Sequence, residues 1–261
     1  MPPGRSLQTP SFRVDGMTAL ITGAGTGLGA GAAVALAQAG AEVILLGRTE
    51  STLAETAEQI HATGGVADVI VCDVCDRESV RDRIAGLKRL DILVNNAGVN
   101  HPQPFTEVSD ERLDQIVNLN VLATFVVAQA ATRKMLEAPD RKERGGAVIN
   151  MSSQMGHVGA PTRTVYCMSK HAIEGLTKAM AVELAEHGIR VNSICPTFTD
   201  TPLVRWLLQS ADRRDEVISH IPMGRMGKVE DVMAAVVYLA SPAAAMITGT
   251  HLIIDGGWTA Q

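Results

Sequence analysis

Aromatic residues are scarce in this chain of 261 residues: Phe, Trp and Tyr together make up 3% of it. In contrast, 46% of the residues are hydrophobic and 24 are glycines. Small and aliphatic residues in this proportion favour helices packed closely on a parallel sheet over a β-sandwich. A chain of this length can bury a sizeable core within one α/β domain.

Excess positive charge and long apolar runs are also missing. The net charge is −5, with acidic and basic residues interspersed, so the sequence indicates no nucleic-acid partner. No apolar run reaches about 18 residues, and residues 1–5 lack the apolar segment of a signal peptide. We therefore expect a cytoplasmic protein that has no membrane partner and acts on a small molecule.

Cysteine is represented by only four residues, Cys72, Cys75, Cys167 and Cys195. The first two form a CxxC motif, but a zinc site would require a second such pair or nearby histidines. The motif also lies at the predicted end of a strand. We expect free thiols and no metal site.

Short apolar runs alternate with longer amphipathic stretches from about residue 17 onwards. The predicted strands are 19–22, 42–46, 67–72, 92–95, 147–151, 190–194 and 251–254. Helical periodicity is found in residues 30–39, 53–61, 113–136, 169–185 and 230–240. This alternation predicts a Rossmann-like, doubly wound α/β sheet in a single domain of residues 14–261, after a loosely held arm of residues 1–13.

A glycine-rich turn follows the first predicted strand. Its residues are Gly23, Ala24, Gly25, Thr26, Gly27, Leu28 and Gly29, and an Ala-rich helix comes next. Glycine permits a tight turn and lets backbone N–H groups approach a pyrophosphate at the positive end of the helix. The context predicts dinucleotide binding.

A tyrosine and a lysine, Tyr166 and Lys170, stand four residues apart. Hydride transfer to a carbonyl group leaves a developing alkoxide, which needs a proton donor. A free tyrosine, with a pKa of about 10, is too weakly acidic, but a cation on the same helix face favours its phenolate. Tyr238, the second tyrosine, lies in an apolar segment and is predicted to pack there.

The spacing Gly23-x-x-x-Gly27-x-Gly29, preceded by Thr22, resembles the classical short-chain dehydrogenase/reductase family. Further motifs follow in the family's order: Asn95-Asn96-Ala97-Gly98, Ser153, Tyr166-x-x-x-Lys170, residues 192–196 and Asp255-Gly256-Gly257. The resemblance spans nearly the whole chain. It implies an NAD(P)-dependent oxidoreductase that acts on alcohols or carbonyls and assembles as a homotetramer.

The resemblance also implies the catalytic residues Asn120, Ser153, Tyr166 and Lys170. Asn120 is expected to bend its helix and to help complete a proton relay through water and Lys170. Asn118 is a competing candidate, but Asn120 has the family's usual interval to Phe125. Ser152 is interpreted as structural, because adjacent side chains leaving a strand point in opposite directions.

Cofactor contacts are carried over in the same way. They are Gly23, Gly25, Thr26, Gly27, Leu28, Gly29, Arg48, Asp73, Val74, Asn95, Ala97, Gly98, Tyr166, Lys170, Pro196, Thr199 and Thr201. Asp73 and Val74 are expected beside the adenine, and Asn95 and Gly98 beside the adenosine ribose. The chain has Thr197 where the family usually has glycine after Pro196, and this restricts the backbone.

The end of the second predicted strand bears on the choice of cofactor. Gly47 stands where an NAD site usually has a carboxylate, and Arg48 beside it can pair with a 2′-phosphate. The next carboxylate is Glu50. Thr26 occupies a position where many NADP-preferring relatives carry Arg or Lys. We expect a preference for NADP(H), with NAD(H) as the alternative.

The substrate contacts predicted from the sequence are Ser153, Gln154, His157, Tyr166 and Thr197. With Arg163 nearby, they indicate a hydroxylated or anionic substrate such as a sugar, a sugar acid or a 3-oxoacyl compound. Residues 203–219, with Trp206, are expected to fold over the site, and the apolar residues 246–258 are expected to be partly buried at a subunit contact. Two alternatives stay open: a non-catalytic NADP(H)-binding sensor, and dehydration or epimerisation on the same fold.

Overall fold

A computed structural model describes residues 8–208 and 210–261 of the chain. The strands are β1 (Thr18–Thr22), β2 (Glu42–Gly47), β3 (Val66–Val71), β4 (Ile92–Asn95), β5 (Gly146–Met151), β6 (Ile189–Pro196) and β7 (His251–Ile254). The helices are α1 (Gly27–Gln38), α2 (Glu50–Ala62), α3 (Arg77–Ala85), α4 (Asp110–Val117), α5 (Thr124–Leu136), α6 (Arg141–Arg144), α7 (Thr164–Leu184), α8 (Pro202–Leu207), α9 (Ala211–Ser219) and α10 (Val229–Ala240).

The seven strands form one parallel sheet in the order β3-β2-β1-β4-β5-β6-β7. The predicted fold class, a Rossmann-like doubly wound sheet flanked by helices, is confirmed. The chain order reverses between β1 and β4, and ligands of such sheets bind outside the carboxyl ends of the strands at this switch point.

The core has two apolar layers, one on each face of the sheet. Alternate residues of each strand point to opposite faces, so Ile21 of β1 packs in one layer and Leu20 in the other. The first layer joins the sheet to α1, α2 and α10, and the second joins it to α3, α5 and α7. Because both faces are covered, the inner strands are buried and mainly apolar, with a few buried polar residues such as Asn150 and Asn192.

Helix boundaries differ from the predictions where the apolar signal is weak. Helix α3 was not predicted, since only Val80 and Ile84 of its nine residues are buried; its start is fixed by Asp76, which accepts a hydrogen bond from the Ser79 N–H. Helix α7 begins at Thr164, five residues before its predicted start, so Tyr166 lies in its first turn.

The predicted helix at residues 113–136 is continuous, but it consists of α4, a π-helical segment (Asn118–Ala123) and α5. By length and composition alone, Asp110–Leu136 could cross a membrane. More than half of its apolar window is buried inside the fold, as in the core helix of a globular domain.

Of the predicted N-terminal arm, residues 1–7 lie outside the described residues. Residues 8–13 have no regular secondary structure and are exposed. They nevertheless touch the domain: the Ala243 N–H donates to the Ser11 carbonyl, and the Phe12 ring lies 6.1 Å from that of Tyr238. Tyr238 packs there and against the core, in line with its predicted role.

A buried ion cluster stabilises the amino-terminal edge of the sheet, opposite the expected ligand site. The Asp91 carboxylate is fully buried and accepts hydrogen bonds from Arg89 and Arg141 and from the Thr18 N–H, at 2.9–3.0 Å. Burial alone would raise the pKa of Asp91, but these hydrogen bonds outweigh burial and hold the pKa below its usual value.

Candidate active site

A cavity of about 490 Å³ opens at the carboxyl ends of β1, β4, β5 and β6, at the switch point of the sheet. Most of the predicted site residues line it: Gly23, Gly25, Thr26, Gly27, Leu28, Arg48, Val74, Ala97, Gly98, Ser153, Gln154, Tyr166, Lys170, Pro196, Thr197, Thr199 and Thr201. Five predicted residues are not in its wall: Gly29, Asp73, Asn95, Asn120 and His157.

The glycine turn between β1 and α1 forms one end of the cavity. Gly23 and Gly27 have φ angles of +64° and +57°, a conformation that other residues rarely adopt. Thr26 is the N-cap of α1 but makes no side-chain capping hydrogen bond, and the first turn has no acidic residue. The free N–H groups and the positive end of the helix dipole therefore suit a phosphate group.

Three of the predicted cofactor contacts do not line the cavity and make close contacts within the chain. A Cβ on Gly29 would lie 2.1 Å from the Gly23 carbonyl oxygen, so this glycine allows α1 to pack against the turn. The Asn95 side chain is buried and donates to the Thr124 carbonyl at 2.8 Å, which turns it towards α5. Asp73 accepts a hydrogen bond from the Cys75 N–H.

The neighbouring Asn96, which the sequence analysis did not select, is the asparagine that borders the cavity. Its N–H donates to the Thr22 hydroxyl at 2.9 Å, and its Nδ2 donates to the Thr22 carbonyl at the same distance. These bonds join the ends of β1 and β4 across the switch point. Side chains along β4 alternate between the two faces of the sheet. Continuing this alternation by one residue beyond the strand would have selected Asn96.

Ser153, Tyr166 and Lys170 converge on the opposite side of the cavity. Ser153 follows β5; its hydroxyl accepts from the Met155 N–H at 3.1 Å and donates to the Pro196 carbonyl at 3.5 Å. Tyr166 and Lys170 lie one turn apart on α7. Lys170 Nζ is 5.5 Å from the centre of the Tyr166 ring and donates to the Met151 carbonyl at 2.8 Å.

Burial shifts the pKa values of this pair in the direction of their neutral forms. It raises the pKa of Tyr166 to about 12, and the Ser153 hydroxyl opposes this rise. Burial lowers the pKa of Lys170 to about 8. Within the chain alone, desolvation thus outweighs the attraction between phenolate and ammonium that the sequence spacing suggested.

Asn120 lies behind the cavity wall, in the π-helical segment, and is buried. Its amide binds both backbone groups of Val99, each at 2.9 Å, and donates to the Ser169 hydroxyl at 3.2 Å. It therefore connects the loop after β4 with the residue next to Lys170. The competing candidate Asn118 is exposed and does not line the cavity. π-Helical turns are frequent at functional sites.

His157 is separated from the cavity by the way the chain turns after β5. The 3₁₀ turn at Gln154–Gly156 directs its imidazole towards Cys195 and Glu174, with Nε2 3.4 Å from the Cys195 sulfur. Arg163 does not line the cavity either, and burial lowers its pKa. Gln154, in contrast, borders the cavity, and neither polar atom of its buried amide has a hydrogen-bond partner among the described residues.

The segment after β6 covers part of the cavity, as predicted. Within residues 203–219, Leu203, Val204 and Leu207 of α8 line it, whereas Trp206 is 58% exposed and does not. Residue 209 of this segment lies outside the described residues. Thr201 caps α8 by accepting from the Val204 N–H at 3.3 Å.

Other residues line the cavity although the sequence analysis did not name them as cofactor or substrate contacts. They are Gly47, Thr49, Thr52, Leu53, Cys72, Asn96, Val99, Asn100, Leu119, Met151, Ser152, Met155, Phe198, Pro202, Leu203, Val204 and Leu207. None of the four cysteines is paired in a disulfide; Cys72, Cys167 and Cys195 are buried, and Cys75 is exposed.

Comparisons with known proteins identify the family of the chain. A family profile described as "Enoyl-(Acyl carrier protein) reductase" matches residues 23–259. The chain is 36% identical to the 2-dehydro-3-deoxy-D-gluconate 5-dehydrogenase of Bacillus subtilis, over 96% of this chain and 98% of that protein. It is 35% identical to the 3-oxoacyl-[acyl-carrier-protein] reductase FabG of Thermotoga maritima, over 94% and 98%.

Among solved structures, the chain is similar to a gluconate 5-dehydrogenase of Burkholderia cenocepacia in complex with NADP and tartrate. The TM-score is 0.89 and the sequences are 35% identical, over 96% of this chain and 98% of that one. The fold and the cavity define a nucleotide-dependent oxidoreductase. The chain belongs to the short-chain dehydrogenase/reductase family, whose members named above act on CH–OH or carbonyl groups.

Proposed function

We propose that the chain transfers a hydride between NADP(H) and a secondary alcohol or the corresponding carbonyl compound, with Tyr166 as the acid/base. The observation that carries this proposal is that Ser153, Tyr166 and Lys170 line the same cavity as the glycine turn. The turn fits a dinucleotide because its positive φ angles and open N–H groups leave room for a pyrophosphate. When bound, the nicotinamide donates or accepts the hydride.

Each residue of the site has a role that its position supports. The Ser153 hydroxyl binds the substrate oxygen, and Tyr166 donates a proton to this oxygen during reduction or removes it during oxidation. Lys170 holds the nicotinamide ribose and supplies positive charge beside the phenol. Asn120 positions the loop after β4 and the start of α7 through Val99 and Ser169, and contributes to a proton relay through water.

The preference for NADP(H) over NAD(H) rests on the end of β2. Gly47, Arg48 and Thr49 line the cavity there, and Glu50, the nearest carboxylate, does not. An arginine without a competing carboxylate favours a ribose 2′-phosphate. NADP in the similar B. cenocepacia enzyme supports this assignment. Use of NAD(H) is the alternative.

We propose a sugar or sugar acid as the substrate. The unpartnered amide of Gln154 offers both a donor and an acceptor to a hydroxylated compound, and two of the relatives are named as gluconate-type dehydrogenases. A 3-oxoacyl compound is the second candidate, supported by the similarity to FabG.

Purified protein should be assayed with NADPH or NADH against ketoses, keto-sugar acids and 3-oxoacyl thioesters, by following the loss of reduced-cofactor absorbance. We expect turnover with at least one carbonyl class and a higher kcat/KM with NADPH. Cofactor binding without turnover in any class would instead support the sensor. Conversion of the substrate without net oxidation of the cofactor would support dehydration or epimerisation.

We further propose a cytoplasmic homotetramer in which residues 246–258 contribute to a subunit contact. Within this segment of the single chain, Met246 is 93% exposed and Ile253 is 39% exposed, which is unfavourable for apolar side chains left in water. Light scattering at micromolar concentrations should give about four times the 27.6 kDa of one chain. A mass near that of the monomer would contradict the assembly.

A further inference from the structure

Two histidines, a glutamate and a cysteine from separate elements meet beside β6, outside the cavity wall. His157 follows β5, Glu174 lies on α7, Cys195 on β6, and His251 is the first residue of β7. We refer to these four residues as the His–Glu–Cys cluster. Neither the CxxC motif nor the proposed reaction involves any of them.

The potential ligand atoms of the cluster are close together. His157 Nε2 lies 3.4 Å from Cys195 Sγ and 4.0 Å from Glu174 Oε2, and Cys195 Sγ lies 3.4 Å from Glu174 Oε1. His251 Nδ1 directly contacts Glu174 Oε2. In a tetrahedral zinc site, with bonds of about 2.0–2.3 Å, neighbouring ligand atoms are about 3.3–3.8 Å apart. The three separations that involve His157 or Cys195, 3.4–4.0 Å, are close to this range, whereas the contact between His251 and Glu174 has to open for an ion to enter.

The charge of Glu174 is the second argument. Its side chain is only 7% exposed, and in the described part of the chain no lysine or arginine forms an ion pair with it. Its contacts are the two imidazoles, the Cys195 thiol and the Ser193 hydroxyl, which donates at 2.7 Å. A buried carboxylate is costly unless it is paired with a cation or binds a metal.

The third argument concerns access and unsatisfied groups. The His157 side chain is 26% exposed and leaves a path from solvent to the cluster. A Cβ at Gly156 would lie 3.2 Å from Glu174 Oε1, so this glycine leaves space beside the carboxylate. The second ring nitrogen of His251, Nε2, is buried and has no hydrogen-bond partner among the described residues. The proposed ligand atom, Nδ1, contacts Glu174 and Ser193, and zinc binding would replace these contacts.

We propose that the His–Glu–Cys cluster binds Zn²⁺ through His157 Nε2, a carboxylate oxygen of Glu174, Cys195 Sγ and His251 Nδ1. Mixed nitrogen, sulfur and oxygen donors at this spacing suit Zn²⁺, whereas Mg²⁺ and Ca²⁺ prefer oxygen ligands. Binding releases the thiol proton of Cys195 to solvent. Ser193 donates a hydrogen bond to Glu174 at 2.7 Å and orients this ligand, and its 2.9 Å contact with His251 Nδ1 gives way when that nitrogen binds the ion.

Four protein ligands make this a closed, structural site rather than a catalytic one. The ion connects the segment after β5 with α7, β6 and β7, and α7 also carries Tyr166 and Lys170. The proposal does not depend on the reaction or on the cofactor. It is therefore tested by metal binding itself.

The test is to add excess Zn²⁺ to the purified protein, remove free metal by desalting, and measure retained zinc by mass spectrometry. We expect one Zn²⁺ per chain and a higher melting temperature with Zn²⁺ than with a chelator. Diffraction at the zinc absorption edge should give one anomalous peak among the four ligands. Absence of stoichiometric zinc, or a peak elsewhere, would overturn the proposal and leave a hydrogen-bonded cluster only.

Variants identify the ligands. Glu174→Gln and His251→Asn should each weaken Zn²⁺ affinity at least about 100-fold, because loss of a ligand costs no less than loss of an outer partner. His171→Asn is the matched control, since His171 also lies on α7 but binds the Cys167 carbonyl instead. Cys75→Ser tests whether the CxxC motif holds the ion. Both controls should retain zinc.

His157→Asn keeps the test decisive if substitution of Glu174 prevents folding, because this side chain lies at the exposed edge of the cluster. It should also lower affinity about 100-fold or more. Zinc retained at wild-type affinity by folded His157→Asn and His251→Asn, or lost from Cys75→Ser alone, would contradict the assignment.

Discussion

Replacement of Tyr166 by phenylalanine tests the centre of the proposed mechanism. The ring remains in the wall of the cavity and only the hydroxyl is removed. The Ser153 hydroxyl keeps its partners, the Met155 N–H and the Pro196 carbonyl, so no new polar group is left unsatisfied. We therefore expect the free energy of unfolding to change by less than about 1 kcal/mol and cofactor affinity to stay nearly unchanged.

Turnover, in contrast, should fall about 10²–10⁴-fold, which is the usual contribution of a general acid or base. This corresponds to a rise of about 2.7–5.4 kcal/mol in the activation barrier, at 1.36 kcal/mol per factor of ten. The measurement is kcat with the best substrate of the carbonyl panel, together with cofactor titration by fluorescence and thermal unfolding of the same preparation.

The chain offers a matched control in Tyr238→Phe. Tyr238 lies on α10, packs near Phe12 and does not line the cavity. Its replacement should leave kcat unchanged. If Tyr166→Phe kept more than about a tenth of wild-type kcat while remaining folded, Tyr166 would not be the acid/base.

Three further predictions concern Gly47 at the end of the cavity proposed for the cofactor, Lys170, and the buried ion cluster around Asp91. A Cβ at Gly47 would lie 3.2 Å from the end of the buried Leu53 side chain, so Gly47→Asp requires this side chain to shift by a few tenths of an ångström. The substitution should lower kcat/KM with NADPH about tenfold or more, through charge repulsion of about 1.4–3 kcal/mol. An unchanged NADPH/NADH ratio in a folded variant would contradict the proposed preference. Burial lowers the pKa of Lys170 to about 8, so its positive charge is lost as the pH rises through that value. We expect kcat/KM for reduction to decline in the same pH range. A flat pH profile from about pH 7 to about pH 10 would contradict the proposed role of Lys170 in catalysis. Asp91→Asn leaves the Arg141 guanidinium buried without its anion. It should lower the free energy of unfolding, measured by denaturant titration, by about 3–5 kcal/mol. A loss below about 1 kcal/mol would show that the ion cluster around Asp91 does not stabilise the fold.

Much of the fold could be predicted because its signals are local. Each strand is a short apolar run, and each turn after a strand carries small or polar residues, so the seven strands were identified to within a few residues. Helices with a broad apolar face were found for the same reason. Helix α3, which buries little more than Val80 and Ile84, was missed because its stability comes from tertiary contacts and an N-cap rather than from periodicity.

The same difference between local and long-range signals applies to the residues of the candidate site. The resemblance to the family selected Ser153, since Ser152 and Ser153 both follow a strand at the ligand edge. Spacing along the chain was sufficient to pair Tyr166 with Lys170, since residues one helical turn apart share a face. It was not sufficient at Asn95 and Asn96, because a change of one residue reverses the direction of the side chain.

Only the tertiary structure decided the surroundings of His157 and the electrostatics of Tyr166 and Lys170. His157, Glu174, Cys195 and His251 have no short spacing, and they meet because β5, β6 and β7 are neighbours in the sheet and α7 packs over them. Likewise, the spacing of Tyr166 and Lys170 indicated mutual attraction, whereas burial moves both pKa values towards the neutral forms. The sequence by itself determined the family, the strand pattern and the types of the reactive residues, because these features depend on neighbours along the chain. Contacts between side chains and their desolvation depend on residues brought together from distant segments, so only the folded chain specifies them.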